Sequence, residues 1–343
     1  MRKLPFFNRI VFYLNLIFST ALLIACIVPY TDSASLAFFS LAVPLLVFCN
    51  LLFTFYWGIK WNIRGLLSIS VLVYGYIIMG PFFQFGNETN LIDEKKDFKL
   101  LTYNSLGFRG KGDDWKSTAG DSIVTFINRE RPDIISFQEF DIRKIGAKHF
   151  KQYPYSFVDH EMGEPQPGVL QAIFSKYPII DSGVLDFPGT SNSAIFSDIV
   201  YGKDTLRIYN LHLQSLSIRP KSIKKERSYR LFARLRRSFR RQLNQSEIVR
   251  AHVDSSPFKT IISGDFNNNQ FSKVYFNIKG DHKDTFLEKG KGLGSTINFW
   301  RFSFRIDYIL VDSSFEVVAH QNYGIDLSDH EPIMASIKIS SNK

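Results

Sequence analysis

Ile261-Ile262-Ser263-Gly264-Asp265-Phe266-Asn267 decides how the rest of the chain reads. Two β-branched residues run into a glycine, and a carboxylate and an amide follow two positions apart. The period-two alternation of a strand puts Asp265 and Asn267 on one side of its end. That pairing suits phosphate chemistry. A carboxylate orients or deprotonates a water, while an amide hydrogen-bonds a phosphoryl oxygen without adding negative charge. Taken alone, the heptapeptide is equally an ordinary strand-to-turn junction, since Asp and Asn are turn formers. The choice depends on whether other segments converge on it.

The same design recurs outward from this stretch. Residues 98–103 alternate apolar and polar and end at Asn104. Residues 121–131 have helical spacing and stop at Pro132, and Asp133-Ile134-Ile135-Ser136-Phe137-Gln138-Glu139 follows as a buried strand with polar groups at its end. A strand is expected over 169–175. Residues 195–200 and 205–212 read as a hairpin around Gly202-Lys203-Asp204, its second arm finishing in Asn210-Leu211-His212-Leu213. Beyond the opening stretch, 304–311 carries Arg305-Ile306-Asp307-Tyr308, and Ser328-Asp329-His330 precedes a last strand over 333–339. Strands interspersed with helices, many of them antiparallel, predict two packed sheets flanked by helices rather than a doubly wound parallel sheet.

Singly, each polar strand end has a plain structural reading: Asn104 as a turn former, Glu139 as an exposed carboxylate, His212 as a satisfied core histidine, Asp329-His330 as a local turn. Taken in order, the six motifs at 104, 138–139, 210–213, 264–267, 305–310 and 328–330 resemble the endonuclease/exonuclease/phosphatase superfamily, including its deoxyribonuclease-like and neutral sphingomyelinase-like members. The resemblance spans about 98–340. It implies an α+β fold, a four-layer α/β sandwich, and a Mg²⁺-dependent phosphoric ester hydrolase, with Mn²⁺ as a second cation. Position by position, it implies Glu139, Asn104 and Asp329 as metal ligands or close neighbours, Asp265 as the residue that orients or deprotonates water, and Asn267 as a phosphate donor. It further implies His330 as a catalytic histidine held in one tautomer by Asp307, and His212 as a donor to the phosphate or leaving group. Arg305, beside Asp307, is an expected substrate-binding cation. Either Asp265 or the His330–Asp307 pair can serve as the base. No Ser or Cys stands in a nucleophile motif, which favours direct attack by water.

The first part of the chain is different in kind. Runs at 10–30, 35–57 and 65–83 contain no Asp, Glu, Lys or Arg, and each approaches the ~20 residues that cross a bilayer as a helix. Three transmembrane helices are therefore expected within 1–85, then a linker at 86–97 and a catalytic domain at 98–343. Arg2, Lys3 and Arg9 precede the first run and Lys60 and Arg64 separate the second from the third, while 31–34 carries only Asp32. The positive-inside rule then places the N-terminus in the cytoplasm and the catalytic domain outside a bacterial inner membrane. Leu23-Ile24-Ala25-Cys26 also resembles a lipoprotein cleavage box. Both cysteines, Cys26 and Cys49, fall in the apolar runs, so the later domain has no disulfide.

The net charge of +10 is concentrated between 219 and 241, where eleven Lys or Arg face one acid, Glu226. Residues 228–250 read as a helix with Leu231, Leu235, Phe239 and Leu243 on one stripe and arginines elsewhere. Such a helix is either a solvated face or a cationic surface for phosphate, in lipid head groups or in nucleic acid. Residues 292–296 followed by Phe299, Trp300, Phe302 and Phe304 read as a loop with aromatics that shapes the pocket or packs the core. The sequence thus predicts a membrane-anchored phosphodiester hydrolase whose partners are the bilayer and a phospholipid, sphingolipid or nucleic-acid substrate. The alternative is a non-catalytic membrane scaffold that keeps the fold for binding.

Overall fold

The structure is a computed structural model that describes residues 5–86, 97–111, 118–159, 170–217, 227–299 and 302–339. Most of the expected linker, Val169, Trp300 and the cations Arg219, Lys221, Lys224 and Lys225 lie outside these residues.

Two six-stranded sheets pack face to face. The first has the order Glu316–Asn322, Ile333–Lys338, Phe98–Asn104, Ile134–Phe140, Leu170–Ser175, Tyr155–Val158. The second runs Lys283–Asp284, Asp307–Val311, Lys259–Asp265, Asp204–His212, Ser193–Tyr201, Ile179–Asp186. Each sheet has one parallel pair at its centre, Phe98–Asn104 with Ile134–Phe140 and Asp204–His212 with Lys259–Asp265; the other pairs are antiparallel. Because paired parallel strands end at the same edge, these two pairs deliver four strand C-termini to one place.

Alternation along the strands builds the layers. Leu100, Ile134, Ile173, Ile208, Ile261, Ile309 and Ile333 fill the space between the sheets. Leu101, Tyr103, Ile135 and Phe137, on the opposite face, pack on Ile123 and Ile127 of the helix Ala119–Glu130. Tyr209, Leu211, Ile262 and Leu310 meet Val249 and Val253 of the helix Ser228–Asp254 and Ile278 of Lys273–Lys279. The order helix, sheet, sheet, helix is the expected four-layer sandwich. Strands buried on both faces explain the near-continuous apolar runs such as Ile261-Ile262.

Three helices precede it: α1, Phe6–Ile27; α2, Phe38–Ile59; and α3, Gly65–Met79. By length and composition α1 and α2 can cross a membrane. The third expected span is shorter than its apolar run, at 15 residues or about 22 Å. Gly80 at φ 78° and Pro81 stop it. Pro44 is accommodated inside α2, and Leu23 to Cys26 lie within α1. The bundle interior carries a small polar network. Ser19 Oγ lies 2.8 Å from Asn50 Oδ1 and 3.0 Å from Asn15 Oδ1, with one proton to share between them, and Ser68 donates to Asn15 at 2.6 Å.

Candidate active site

Asp265 ends its strand at the edge where the parallel pairs finish, 1% exposed. In register, His212 lies beside it on one side and Asp307 on the other. From the facing sheet come Asn104 and Gln138, which are paired in register. Asn104 Nδ2 donates to Asp265 Oδ2 at 3.1 Å and lies 3.4 Å from Glu139 Oε1, so a single amide joins the two sheets at the site.

Local backbone departures aim these groups. Pairing of Ile134–Phe140 with its antiparallel neighbour jumps from Phe137 to Phe140, a bulge that places Glu139 at φ 50° and leaves it partly open. Asn267 also has φ 50°. Positive φ at two non-glycine residues of one site is strain concentrated where side chains must point a given way. Gly264, at φ 130°, passes so close to the neighbouring strand that a Cβ would sit 2.2 Å from the Leu211 carbonyl oxygen. Only glycine fits there.

The Asp265 carboxylate accepts from the Asn267 backbone amide at 2.7 Å and from Asn267 Nδ2 at 3.1 Å. His330 Nδ1 lies 2.9 Å from Asp307 Oδ2, and its Nε2 points at Asp265 Oδ2, 3.7 Å away. His212 Nε2 stands 3.9 Å from both Glu139 Oε1 and Asp265 Oδ2. Burial, reinforced by Asp307 and opposed by His330, pushes the Asp265 carboxyl up to about 7. Burial lowers His330, but Asp307 and Asp265 outweigh it and carry the imidazole up to about 10. Burial lowers His212. At neutral pH, therefore, His330 is a cation and His212 is neutral.

Asn104, Glu139, His212, Asp265, Asn267, Asp307 and His330 thus converge. Two expected residues stand apart. Asp329 is exposed and accepts a 3.3 Å bond from Ser328. The expectation that Arg305 binds substrate does not fit its placement: it is buried, donates to Asp284 Oδ2 at 2.7 Å and to Gln270, and lies 4.7 Å over the Phe286 and Tyr308 rings. Arg305 precedes the strand that starts at Asp307, so strand alternation does not put the two on one face.

Ligand atoms of Asp265, Asp307 and His330 lie within 4.8 Å of one another, close enough to hold a metal ion. The carboxylate oxygens of Glu139 and Asp265 on either side of Asn104 form a second, oxygen-only donor set, the chemistry a hard divalent cation prefers. Asn104 turns its NH₂ toward them while its Oδ1 accepts from Leu106 N. Ligation through Oδ1 requires the amide to turn over.

Sequence reasoning overlooked three supports. Gln138 Nε2 and Asn210 Oδ1 meet at 2.5 Å beneath the site, bridging the sheets. Thr296 Oγ1 accepts from the Ile306 and Asp307 amides. Gln242 donates to the Asn267 carbonyl at 3.0 Å and accepts from Asn268, pinning the loop after the opening stretch. The signal for Gln242 was its position on the buried stripe between Phe239 and Ser246.

Residues 101–330 match the endonuclease/exonuclease/phosphatase family, and residues 8–82 match a domain of unknown function. No curated protein matches. Among solved structures, humanized D. rerio TDP2 is similar with a TM-score of 0.55 at 16% identity, over 71% of this chain and 99% of that one. An endonuclease/exonuclease/phosphatase from Beutenbergia cavernae gives 0.53 at 18%, over 71% and 72%. A mannosyl-6-phosphatase from Bacteroides thetaiotaomicron gives 0.52 at 19%, over 70% and 99%. At such identities the structures speak for the fold. The family match covers most of the sandwich, including all seven converging residues, and the chain belongs to the endonuclease/exonuclease/phosphatase family.

Proposed function

We propose that the chain is a membrane-anchored, Mg²⁺- or Mn²⁺-dependent phosphodiester hydrolase that uses an activated water. The observation that carries this reading is the shared contact of Asn104 with Asp265 and Glu139, which ties a buried base to an open carboxylate. Glu139, with Asn104 and Asp265 beside it, is the proposed cation site. The bound cation supplies charge neutralisation for the phosphate.

The chain's own groups do the rest. Asp265, held by two donors from Asn267 and ionising near neutrality, takes the proton of the attacking water. His330 is charged and fixed by Asp307, so it donates rather than accepts. Asp265 is accordingly the base, and His330 orients it and offsets phosphate charge. Neutral His212, its Nε2 3.9 Å from both carboxylates, hydrogen-bonds the departing oxygen. In this arrangement the groups are fixed before reaction, which is where most electrostatic stabilisation arises.

The anchor reading rests on the ends of the helices. The α1 C-terminal half, the α2 N-terminus and the α3 C-terminus meet the catalytic domain, while Arg9, Lys60 and Arg64 lie at the opposite end. The positive-inside rule then puts residues 98–343 on the outer side. Hydrolysis of bis-p-nitrophenyl phosphate by the full chain with Mg²⁺ in ¹⁸O-water should place the label in p-nitrophenyl phosphate. Label in p-nitrophenol, or no turnover with either cation, contradicts the reading.

A further inference from the structure

The loop carrying Asn267 is not a free surface. Asn269 Nδ2 donates to the Ser40 carbonyl of α2 at 2.8 Å, and Gln270 Nε2 donates to the Pro81 carbonyl at 3.0 Å. Phe271 is buried among Leu22, Val43, Leu46, Val71 and Met79. The basic helix docks beside it: the Phe232 and Phe38 rings stack at 4.5 Å and 9°, and Phe239 meets Phe38 edge-on at 5.3 Å. The active-site loop is therefore fastened to one end of the apolar bundle.

Between them lies a cavity of about 230 Å³ walled by Leu41, Leu216, Ile297, Phe304 and Ile306, with Ser215, Ser217 and the stretch Asn267-Asn268-Asn269 completing its lining. One end reaches Asn267, the partner of the catalytic carboxylate. The other reaches Leu41 in the first turn of α2, whose Leu45 and Phe48 are exposed apolar side chains further along. The basic helix braces one wall from outside, where Arg234 Nη1 donates to the Leu216 carbonyl at 2.8 Å. Arg236, Arg237, Arg240 and Arg241 of the same helix are exposed.

We propose that the substrate is a membrane phospholipid, with its phosphate at Asn267 and Asp265 and the first part of its acyl chain in this cavity. This rests on the hydrolase reading above. Three observations favour a lipid over nucleic acid. The surface the cavity offers is mainly apolar, from Leu41, Leu216, Ile297, Phe304 and Ile306, whereas a single-stranded nucleic acid needs stacking platforms along a cationic groove. Leu41, at the cavity, shares a helix face with the exposed Leu45 and Phe48 four and seven positions on. The neighbouring arginines match the anionic surface of a bilayer. In the reaction, the water oxygen forms a new bond to phosphorus as one ester P–O bond breaks. Its proton passes to Asp265, the departing alkoxide takes a proton from solvent water and leaves as an alcohol beside a phosphomonoester, and Asp265 returns its proton to the hydroxide so formed.

The test compares dihexanoyl phosphatidylglycerol with its deacylated counterpart glycerophosphoglycerol, using the full chain in detergent with Mg²⁺, and single-stranded DNA and RNA as further arms. The expected result is kcat/KM at least about tenfold higher for the acylated diester, and a Leu41→Trp variant in which that ratio collapses toward one. Equal rates with and without acyl chains, preferential cleavage of nucleic acid, or an unchanged ratio in Leu41→Trp would overturn the lipid assignment and leave the hydrolase reading standing. Absence of turnover on bis-p-nitrophenyl phosphate as well would overturn both. Ile306→Trp obstructs the same cavity from the other side and serves if Leu41→Trp does not fold.

Discussion

Asp265 has three hydrogen bonds and almost no water, and its proton affinity is a consequence of that placement. The unfolded chain releases this proton near pH 4, whereas the folded chain keeps it to about 7. Folding is therefore progressively penalised as pH rises from about 4 to about 7, and the penalty is complete above that. With chelator present, Asp265→Asn should gain stability relative to wild type between pH 5 and 8, by an amount on the order of a few kcal/mol. Turning an amide toward the Asn104 and Asn267 donors has a cost, but that cost does not vary with pH. A difference in Tm that stays flat across the window would show that Asp265 is not protonated. Gly264 makes a second prediction at this scale. Gly264→Ala places a methyl against the Leu211 backbone and forces a non-glycine residue to φ 130°, so denaturant unfolding should show a loss of about 3 kcal/mol or more.

Among the elements, the basic helix Ser228–Asp254 has two faces with separate duties. Its buried face carries Gln242, which holds the carbonyls of Asn267 and Gln214. Gln242→Leu should lower kcat on a soluble diester by about tenfold while KM changes little, since the Asn267 backbone loses its support. Its exposed face carries Arg237 and Arg240. Replacing both by Ala should weaken binding to vesicles containing phosphatidylglycerol by about 1 kcal/mol per residue at low salt, and the difference should shrink at high salt. Much of this architecture was legible in sequence. Strand ends announce themselves because an apolar run stops at Asn104, Glu139, His212 or Asp265, and these residues also fall in family order. Arg305 was not legible because its direction is set by coil before the strand, and Gln242 because its place on the buried stripe marks it as inward-facing without saying what its amide holds. The length of α3 was overestimated because hydropathy continued through Pro81, Phe82 and Phe83 after Gly80 had ended the helix.

At the scale of the whole molecule, two sheets converge on one edge and a three-helix bundle is fastened to the loop leaving that edge. The seven converging residues come from both sheets and their connecting loops, so neither sheet alone has an active site. Asn104 provides the joint. In the proposed function this joint positions a hydrolytic metal site centred on Glu139 and served by Asp265. The most direct test is the rate of bis-p-nitrophenyl phosphate hydrolysis by the full chain with Mg²⁺, after chelation and metal return, in wild type and Glu139→Gln. Chelator should remove the activity and Mg²⁺ restore it, with Glu139→Gln reduced by about 10²-fold or more. Hydrolysis that survives chelation, or a Glu139→Gln variant as fast as wild type, would contradict the proposed function.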